Sequence, residues 1–389
     1  MTVPRDLAGP RLALFSGAAF AAVGVQLPFW PVWLEARGLS ASEIGLVLAA
    51  AFWPRVATSL LVAHQADRAG RRKSLMVLLA AVTLLGLGLF GLAERLWAFL
   101  LLSALSGAAW AAIGPLGEAL TLQELQGRGI AYGRIRLWGS LTFILAAVGT
   151  GRLIEQSGPQ VVLGLLLGGV ALTFVACLLL PETRTVGRPA TPPRLAELFR
   201  LPGFWGFVFA AGLIQVSHAA YYGFATLHWR AAGHSEGLIG WLWAGGVLAE
   251  IALFASGNAG FRRLTPHRLL ALAGGCTVVR WSLSALGTDL ALLIPAQALH
   301  RASFGATYLA TMHYLRDHTP AALHASAQAI NASIGFALLF GLVTPIAGWL
   351  YGFAGGGAFW AMAVLALAGT ALAVTLMPRA DERPPGLDQ

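Results

Sequence analysis

Long apolar stretches separated by short polar ones run through the whole sequence. Of its 389 residues, 57% are hydrophobic and 11% are charged, whereas a soluble domain carries about 25% charged residues. Because so few charges cannot cover a surface that faces water, most of the outer face must contact lipid. A bilayer-spanning helix needs about 20 largely apolar residues, and every backbone N–H and C=O in the hydrocarbon must find a partner inside the chain. The sequence therefore predicts an all-α integral membrane protein.

Twelve of these apolar stretches are long enough to span a bilayer. The longest polar segment, 182–201, is rich in arginine and proline and separates six spans from the other six. We therefore expect an N-terminal six-helix bundle at 1–181, a central loop at 182–201, and a C-terminal six-helix bundle with a short tail at 202–389. The predicted spans are 12–34, 43–66, 73–92, 96–121, 132–155, 159–181, 203–228, 237–258, 268–287, 290–315, 323–350 and 352–377.

Basic residues are distributed unevenly between the two sides of these spans. The loops after even-numbered spans, together with both tails, hold 19 of the 26 Lys and Arg residues, and the loops after odd-numbered spans hold four. Basic loops stay in the cytoplasm, so we expect both termini to be cytoplasmic in a multi-pass protein of the cell (inner) membrane. The net charge of +9 arises from these loops rather than from one basic face. This distribution indicates the lipid bilayer as a partner and no nucleic acid.

Ionisable residues remain inside several predicted spans. Such a group at the centre of a bilayer costs about 2.5–3.5 kcal/mol on insertion scales, so it must pair with another group or face a water-filled cavity. A passage for a small molecule supplies both conditions. Hydrogen bonding that only holds helices together is the competing interpretation. The residues concerned are Arg55, Glu118, His218, Glu250, Arg280, His300, Arg301 and His313.

Polar residues within two spans recur at helical spacing. Trp110 and Glu118 lie eight residues apart, and Gln215, His218 and Tyr222 follow one another at intervals of three and four. Side chains at such intervals share one face of a helix. We therefore expect both stripes to line the interior of their bundles, while a purely structural role for Gln215 stays open.

A short charged turn follows the second predicted span. It reads Asp67-Arg68-Ala69-Gly70-Arg71-Arg72, and together with twelve spans and a central loop it resembles the major facilitator superfamily of transporters. The resemblance implies the major facilitator fold and transport by alternating access between two six-helix bundles. It also implies a conformational loop formed by Asp67, Arg68, Gly70, Arg71 and Arg72, which we expect to act as a positive-inside anchor as well. The leading glycine of the motif is Ala63 in this chain.

Further segments resemble lactose permease and the phenylpropionate permease group, and the likeness covers nearly the whole chain. The resemblance implies that Glu118 and Arg136 are a substrate-binding acid and base. It also implies that Glu250, Arg280 and His300 belong to a proton-coupling group. The segments that carry it are Tyr132–Ser140, His218–Phe224, Ala249-Glu250, Phe261-Arg262-Arg263 and Val279-Arg280-Trp281.

One position departs from lactose permease. Ser303 stands where the permease has its coupling carboxylate, three residues after the histidine of the tenth span. Proton coupling therefore requires another group, for which we expect Glu250 first and Glu118 second. The remaining members of the predicted coupling group are Arg280, His218 and His300, the two histidines acting as relays.

The intramembrane arginines indicate an anionic substrate. Guanidinium groups bind carboxylates through two parallel hydrogen bonds, and aromatic side chains near the expected cavity can stack on a ring. We therefore predict proton-coupled uptake of a small aromatic carboxylate such as a phenylpropionate-like acid, with Arg136 as the carboxylate contact and Arg55 behind it. Proton symport of a sugar or nucleoside, and export by proton antiport, are the alternatives. The other predicted substrate-binding residues are Glu118, Tyr222, Gln215 and Trp110.

Motifs of common enzyme classes are absent from the sequence. It contains no HExxH, GxSxG or Walker A pattern, each of which marks a particular catalytic site. We therefore expect no enzymatic activity, no metal site and no cofactor, with a proton gradient as the energy source. We also expect a monomer that binds a small-molecule substrate.

Overall fold

A computed structural model describes residues 7–58, 72–126, 128–181, 195–255, 264–320 and 323–377. The regular structure of these residues is helical, and no β-strand occurs among them. They group into two compact units. Unit 1 comprises 1–188 with 233–244, and unit 2 comprises 189–232 with 245–389. The expected all-α fold is confirmed, while the predicted boundaries of the two halves at 181 and 202 stay a prediction.

Unit 1 is built mainly from six helices: α1 Ala8–Ala36, α2 Ala41–Ala50, α3 Arg72–Phe90, α4 Leu96–Leu125, α5 Tyr132–Ser157 and α6 Val161–Leu179. Helix α1 packs against α5 and α6, α3 packs against α4 and α6, and α2 packs against α4. The start of α2 is a capping box, in which the Glu43 carboxylate accepts the Ser40 N–H at 2.8 Å. Such caps satisfy N–H groups that the first helical turn leaves unpaired.

The helices that follow are α7 Leu195–Arg200, α8 Phe204–Val216, α9 Ala219–Ala231, α10 Glu236–Ala255, α11 Pro266–Leu286, α12 Leu290–Ala298, α13 Thr307–His318, α14 His324–Ile330, α15 Leu339–Ala354 and α16 Ala358–Leu376. Two π-helical segments interrupt this series, π1 at Arg301–Ala306 and π2 at Asn331–Leu338. Within unit 2, α8 and α11 pack against α16, and α9 packs against α15. Helix α10 belongs to unit 1 as far as Ala244 and to unit 2 from Gly245.

Nine helical stretches among the described residues are long and apolar enough to cross a membrane. Eight of them each match one predicted span, and the ninth, Ser326–Leu376, covers the last two predicted spans within 51 residues. The second predicted span continues beyond Thr58, outside the described residues. The tenth is divided between α12, π1 and α13.

The interruptions have local causes. Pro54 has no N–H to continue a helical ladder, so α2 ends at Ala50 and the chain turns before Arg55. Between α8 and α9 the carbonyl of Ile214 accepts the Ser217 hydroxyl at 2.6 Å and lies 3.3 Å from Nδ1 of His218. These side chains compete with the backbone for a helical acceptor, and the helix breaks at Ser217 and His218.

Large apolar side chains are exposed over the outside of both units. Leu92 is 79% exposed and Phe353 is 82% exposed. In water a continuous surface of this kind leads to aggregation, whereas lipid tails solvate it. The exposed side chains therefore identify the lipid-facing surface. Others of the same kind are Leu85, Trp97, Leu145, Ile294, Trp349 and Val364.

The charged turn predicted after the second span lies largely outside the described residues. Arg72 is the first residue of α3, and its Nη1 donates to Oε1 of Gln123 in α4 at 3.0 Å. The role of this charged turn as a conformational loop stays a prediction. The residues of the turn that fall outside the described ranges are Asp67, Arg68, Gly70 and Arg71.

Two glycines bring α5 and the start of α10 into backbone contact within unit 1. A Cβ at Gly240 would lie 2.6 Å from the carbonyl oxygen of Ala147, and a Cβ at Gly151 would overlap the carbonyl oxygen of Glu236. One turn further along α5, the Glu155 carboxylate accepts the N–H of Gly237 at 2.8 Å. Since real Cβ atoms cannot approach a backbone this closely, the contact requires glycine at both positions.

Candidate functional site

Arg280 is a fully buried cation in the middle of α11. Its side chain is 0% exposed. Its Nη1 donates to Nδ1 of His300 at 2.9 Å and to Oγ of Ser303 at 3.0 Å. Its Nε and Nη2 are buried without a hydrogen-bond partner. A charged group that is desolvated and incompletely bonded is costly in hydrocarbon. Its two unpartnered nitrogens can bind a ligand, or find partners in another conformation of the protein.

Two aromatic rings pack against this guanidinium. Its Cζ lies 4.5 Å from the ring centre of Tyr221 and 4.5 Å from that of Trp281. Cation–π attraction of this kind stabilises a charge where water is excluded. The rings are held in turn, because the Tyr221 hydroxyl donates to Oε1 of Gln297 at 2.9 Å and the indole N–H of Trp281 donates to Ser217 at 2.8 Å. We call Arg280, Tyr221, Trp281, His218, His300 and Ser303 the Arg280 cluster.

The hydrogen bonds define the protonation state of His300 and the position of one proton on His218. Arginine can only donate, so Nδ1 of His300 must accept and that ring is neutral in this conformation. Nδ1 of His218 lies 3.0 Å from the carbonyl of Gln215, which can only accept, so Nδ1 carries the proton. Nε2 of His218 is 3.4 Å from Oγ of Ser303 and accepts from that hydroxyl when neutral. Protonating His300 at Nδ1 would require it to leave Arg280.

Irregular helices position this cluster. Ser303 lies in π1 and His300 immediately precedes it, while His218 lies at the break between α8 and α9. A π-helical turn contains an extra residue and changes the direction of the side chains that follow, and such turns are frequent at functional sites. Phe304 in π1 stacks on His300 with ring centroids 5.4 Å apart. The two breaks bring together side chains that regular helices would separate.

Three further predicted residues of unit 2 lie near the cluster. Tyr222 stacks on His218, with ring centroids 5.7 Å apart, and interacts electrostatically with Glu250. The Cγ of Glu250 is 3.8 Å from the position of a Cβ at Gly305 in π1. Gln215 contributes its carbonyl oxygen to His218. Among the described residues no hydrogen bond joins Glu250 to Arg280.

The predicted acid and base of unit 1 are exposed. The Tyr132 hydroxyl donates to Oε1 of Glu118 at 2.9 Å. The guanidinium of Arg136 lies over the ring of Phe20, with Cζ 3.9 Å from the ring centre. Both Glu118 and Arg136 are exposed on the surface of unit 1. Neither is buried among the apolar side chains of unit 1.

Arg55 and Trp110 line a pocket inside unit 1. The pocket encloses about 440 Å³ of empty space, counting the part that is open to the outside. Helices α1, α3, α4 and α6 and the turn after α2 contribute to its walls. Nε of Arg55 is buried without a hydrogen-bond partner. The lining residues are Gln26, Trp30, Ala51, Arg55, Thr83, Leu87, Phe90, Ser103, Ser106, Gly107, Trp110, Leu166 and Val170.

Sequence reasoning did not identify four residues that hold the Arg280 cluster together. Ser217, Tyr221, Trp281 and Gln297 all hydrogen-bond or stack within it. The helical stripe through His218 selected Tyr222 because it assumed an unbroken helix, and the break at Ser217 and His218 turns Tyr221 toward Arg280. A polar Ser-His pair in the middle of an apolar span was the available signal for that break.

Metal-ligating residues are not grouped in the described ranges. No set of three or more His, Cys, Asp or Glu side chains there is placed to hold a metal ion. The expected absence of a metal site stays a prediction.

Comparisons with known proteins agree in fold and family. The model of the MFS_1 like family matches residues 11–362. The probable 3-phenylpropionic acid transporter of Escherichia coli is 34% identical over 371 residues, which cover 94% of this chain and 97% of that protein. The lactose permease of Klebsiella oxytoca is 24% identical, with 75% of this chain and 76% of the permease covered. The crystal structure of the nucleoside transporter NupG superposes with a TM-score of 0.77 at 17% identity, over 95% of this chain and 98% of NupG.

Proposed function

The chain belongs to the MFS_1 like family of major facilitator transporters, and on that premise we propose that it takes up a small aromatic carboxylate together with protons. Family membership makes the chain a multi-pass membrane transporter rather than an enzyme, as predicted. The resemblance to the phenylpropionate permease group is confirmed. The substrate, the coupling ion and the direction of transport belong to the proposal, as do the inner membrane, the cytoplasmic termini and the monomeric state.

One observation supports this function above the others. Arg280 is buried in a membrane-spanning helix with Nε and Nη2 unpartnered, and two aromatic rings pack against it. A chain gains nothing in stability from an incompletely bonded charge in hydrocarbon. The cation is therefore retained for function, and in a transporter it serves either an anionic solute or the protonation of a nearby carboxylate.

Glu250 is the proposed proton carrier. His300 is neutral in this conformation, and adding a proton to it at Nδ1 would place a second cation beside Arg280. A carboxylate becomes neutral when it is protonated, so its protonation does not create a repulsion with Arg280. Glu250 interacts with Tyr222 at the edge of the cluster. Because a nearby cation stabilises an ionised carboxylate, a shift of Arg280 toward Glu250 would release the proton of Glu250. His218, Ser303 and His300 provide a path for the proton as relays, and Glu118 is the second candidate carrier.

We expect Glu250→Gln to lose proton-driven uptake while keeping substrate exchange. Glutamine preserves shape and hydrogen bonding but cannot be ionised. Uptake driven by a pH gradient in proteoliposomes should fall by roughly 5- to 150-fold, the range of a coupling free energy of about 1–3 kcal/mol. Exchange of labelled for unlabelled substrate without a gradient should stay close to that of the unsubstituted protein. Glu94→Gln, at an exposed site between α3 and α4, is the matched control, and unchanged uptake by Glu250→Gln would refute the assignment.

A substrate panel separates the proposed function from its alternatives. Proteoliposomes with an inward proton gradient should accumulate 3-phenylpropionate and should not accumulate maltose or uridine. Accumulation of the sugar or nucleoside instead would establish the symport alternative. Flux of the acid into the proton-loaded compartment, measured in everted vesicles, would establish export by antiport.

A further inference from the structure

We propose that the pocket inside unit 1 is a binding site for an aromatic monocarboxylate, with Arg55 as the residue that holds the carboxylate. The proposal rests on the proposed function, because it locates the substrate of that transporter. The sequence predicted Arg136 as the carboxylate contact and Arg55 as the second choice. The proposal assigns the contact to Arg55 instead. The pocket lies wholly within unit 1 and is formed by residues of α1, α3, α4, α6 and the turn after α2.

Within the described part of the chain, Arg55 makes no ion pair and no side-chain hydrogen bond. The contact recorded for its guanidinium is the ring of Phe52, 4.5 Å from Cζ, and its Nε is buried without a hydrogen bond. Of the lining side chains in the described part of the chain, Arg55 alone carries a charge. A desolvated cation without a counter-charge attracts an anion. One cation matches one carboxylate, whose two oxygens can receive two parallel N–H bonds from a guanidinium.

The hydroxyl groups of the pocket cannot take over this role. Thr83 donates to the carbonyl of Leu79 at 2.8 Å, and Ser106 donates to the carbonyl of Leu102 at 2.6 Å. Ser103 likewise donates to a backbone carbonyl, at 2.6 Å. A hydroxyl has a single proton to donate, so these three groups present acceptor lone pairs to the pocket. Lone pairs repel an anion, which leaves Arg55 as the charged donor of the pocket and the Gln26 amide as a neutral one.

Aromatic and aliphatic side chains form much of the remaining wall. Trp30 stacks on Trp33 with ring centroids 4.8 Å apart and meets Phe90 edge-on at 5.0 Å. This packing holds Trp30 and Phe90 in fixed orientations, so they form a rigid wall. Leu87, Trp110, Leu166 and Val170 complete an apolar lining. The lining thus combines apolar and aromatic side chains with a few polar groups, as in pockets that bind small molecules.

A glycine keeps the pocket narrow on the Arg55 side. A Cβ at Gly107 in α4 would lie 2.5 Å from Cβ of Ala51 and 2.9 Å from its carbonyl oxygen. The absence of a side chain at position 107 therefore lets α4 approach the turn that Pro54 produces after α2. That approach places Ser106 and Trp110 in the same pocket as Arg55. Arg55 itself is half-buried beside this contact.

Binding of an acid and of its neutral analogue tests the site. We would titrate purified protein at neutral pH with 3-phenylpropionate and with 3-phenyl-1-propanol, which has no charge. The unsubstituted protein should prefer the acid. Arg55→Met and Arg55→Gln should weaken binding of the acid by about 10- to 150-fold, the range for a hydrogen bond to a charged group, and should leave binding of the alcohol within about threefold. Arg95→Gln, exposed at the start of α4, is the control and should bind both compounds unchanged.

A second variant keeps Arg55 and fills part of the pocket interior. Ser106→Leu adds bulk to the pocket wall and should weaken both the acid and the alcohol, because the ring no longer fits. This variant decides the matter if the Arg55 substitutions prevent folding, which size-exclusion elution would reveal. Unchanged binding of the acid by Ser106→Leu and by folded Arg55 variants would overturn the proposal. Loss of acid binding in Arg136→Gln alone would overturn it in favour of the exposed arginine.

The outcomes also separate this site from the proposed function. If the unsubstituted protein binds 3-phenylpropionate through Arg55 but shows no flux of the acid in proteoliposomes, the site stands and the transport proposal fails. If it transports the acid and the Arg55 variants transport it equally well, the transport proposal stands and the site fails. If it neither binds nor transports the acid, both are overturned.

Discussion

Replacing Arg280 with methionine should abolish transport while leaving the protein about as stable as before. Uptake should fall by at least about 100-fold, since loss of a buried charge-assisted contact costs several kcal/mol of function. Stability should change little, within about 2 kcal/mol, because two opposing effects cancel. Removing an incompletely bonded buried charge is favourable, whereas leaving Nδ1 of His300 and the hydroxyl of Ser303 without their donor is unfavourable.

Most buried substitutions behave differently, which makes this combination informative. A residue that only holds helices together should lose stability and activity in parallel. Thermal unfolding can be followed with a thiol-reactive dye, since Cys177 is buried and becomes reactive on unfolding. Uptake is measured on the same preparation. Together the two curves distinguish a functional cation from a structural one.

Two further variants control for side effects. Arg268→Met removes an exposed arginine from the same helix, α11, and should retain both uptake and stability. Arg280→Lys keeps the charge but cannot cover two aromatic faces with a planar group, so we expect partial uptake. An Arg280→Met variant that transports normally would contradict the role assigned to the cluster. One that unfolds at a much lower temperature would show that Arg280 is structural.

Gly151→Leu should disrupt the contact between α5 and the start of α10. Its Cβ would overlap the carbonyl oxygen of Glu236, and backbone cannot move aside as a flexible side chain can. Overpacking of this kind costs typically about 1–3 kcal/mol, and we expect the upper end because the obstacle is a main-chain atom. The contact between the Glu155 carboxylate and the N–H of Gly237 should be lost as well. Uptake should fall with it.

A neighbouring glycine provides the control for this prediction. Gly149 lies on the same helix two residues earlier, and a Cβ there would meet nothing within 4 Å, so Gly149→Leu should be tolerated. The readout is the reactivity of a cysteine introduced as Ile239→Cys, a position that is fully buried, after Cys177 and Cys276 are changed to serine. Reactivity should rise in Gly151→Leu and stay low in Gly149→Leu. Equal reactivity in the two variants would show that the backbone contact is not needed.

The sequence by itself determined the class of fold and the family. Hydropathy adds up over about 20 residues of one span, so the spans can be recognised without knowing what any helix packs against. The composition of 11% charged residues, the basic loops and the motif-bearing segments are likewise local properties of the chain. The same reasoning identified Arg280, His300 and Glu250 as exceptional, because an ionisable group in an apolar span is unusual wherever the span lies.

Only the tertiary structure decided which side chains meet. Helical spacing predicts a common face for an unbroken helix, but the break at Ser217 and His218 and the π-helix at 301–306 change the direction of everything after them. Those breaks bring Tyr221 to Arg280 in place of Tyr222. The same is true of the two arginines of unit 1, since Arg136 is exposed over Phe20 while Arg55 is enclosed by four helices. Such directions depend on contacts between residues far apart in the sequence, and no local pattern contains them.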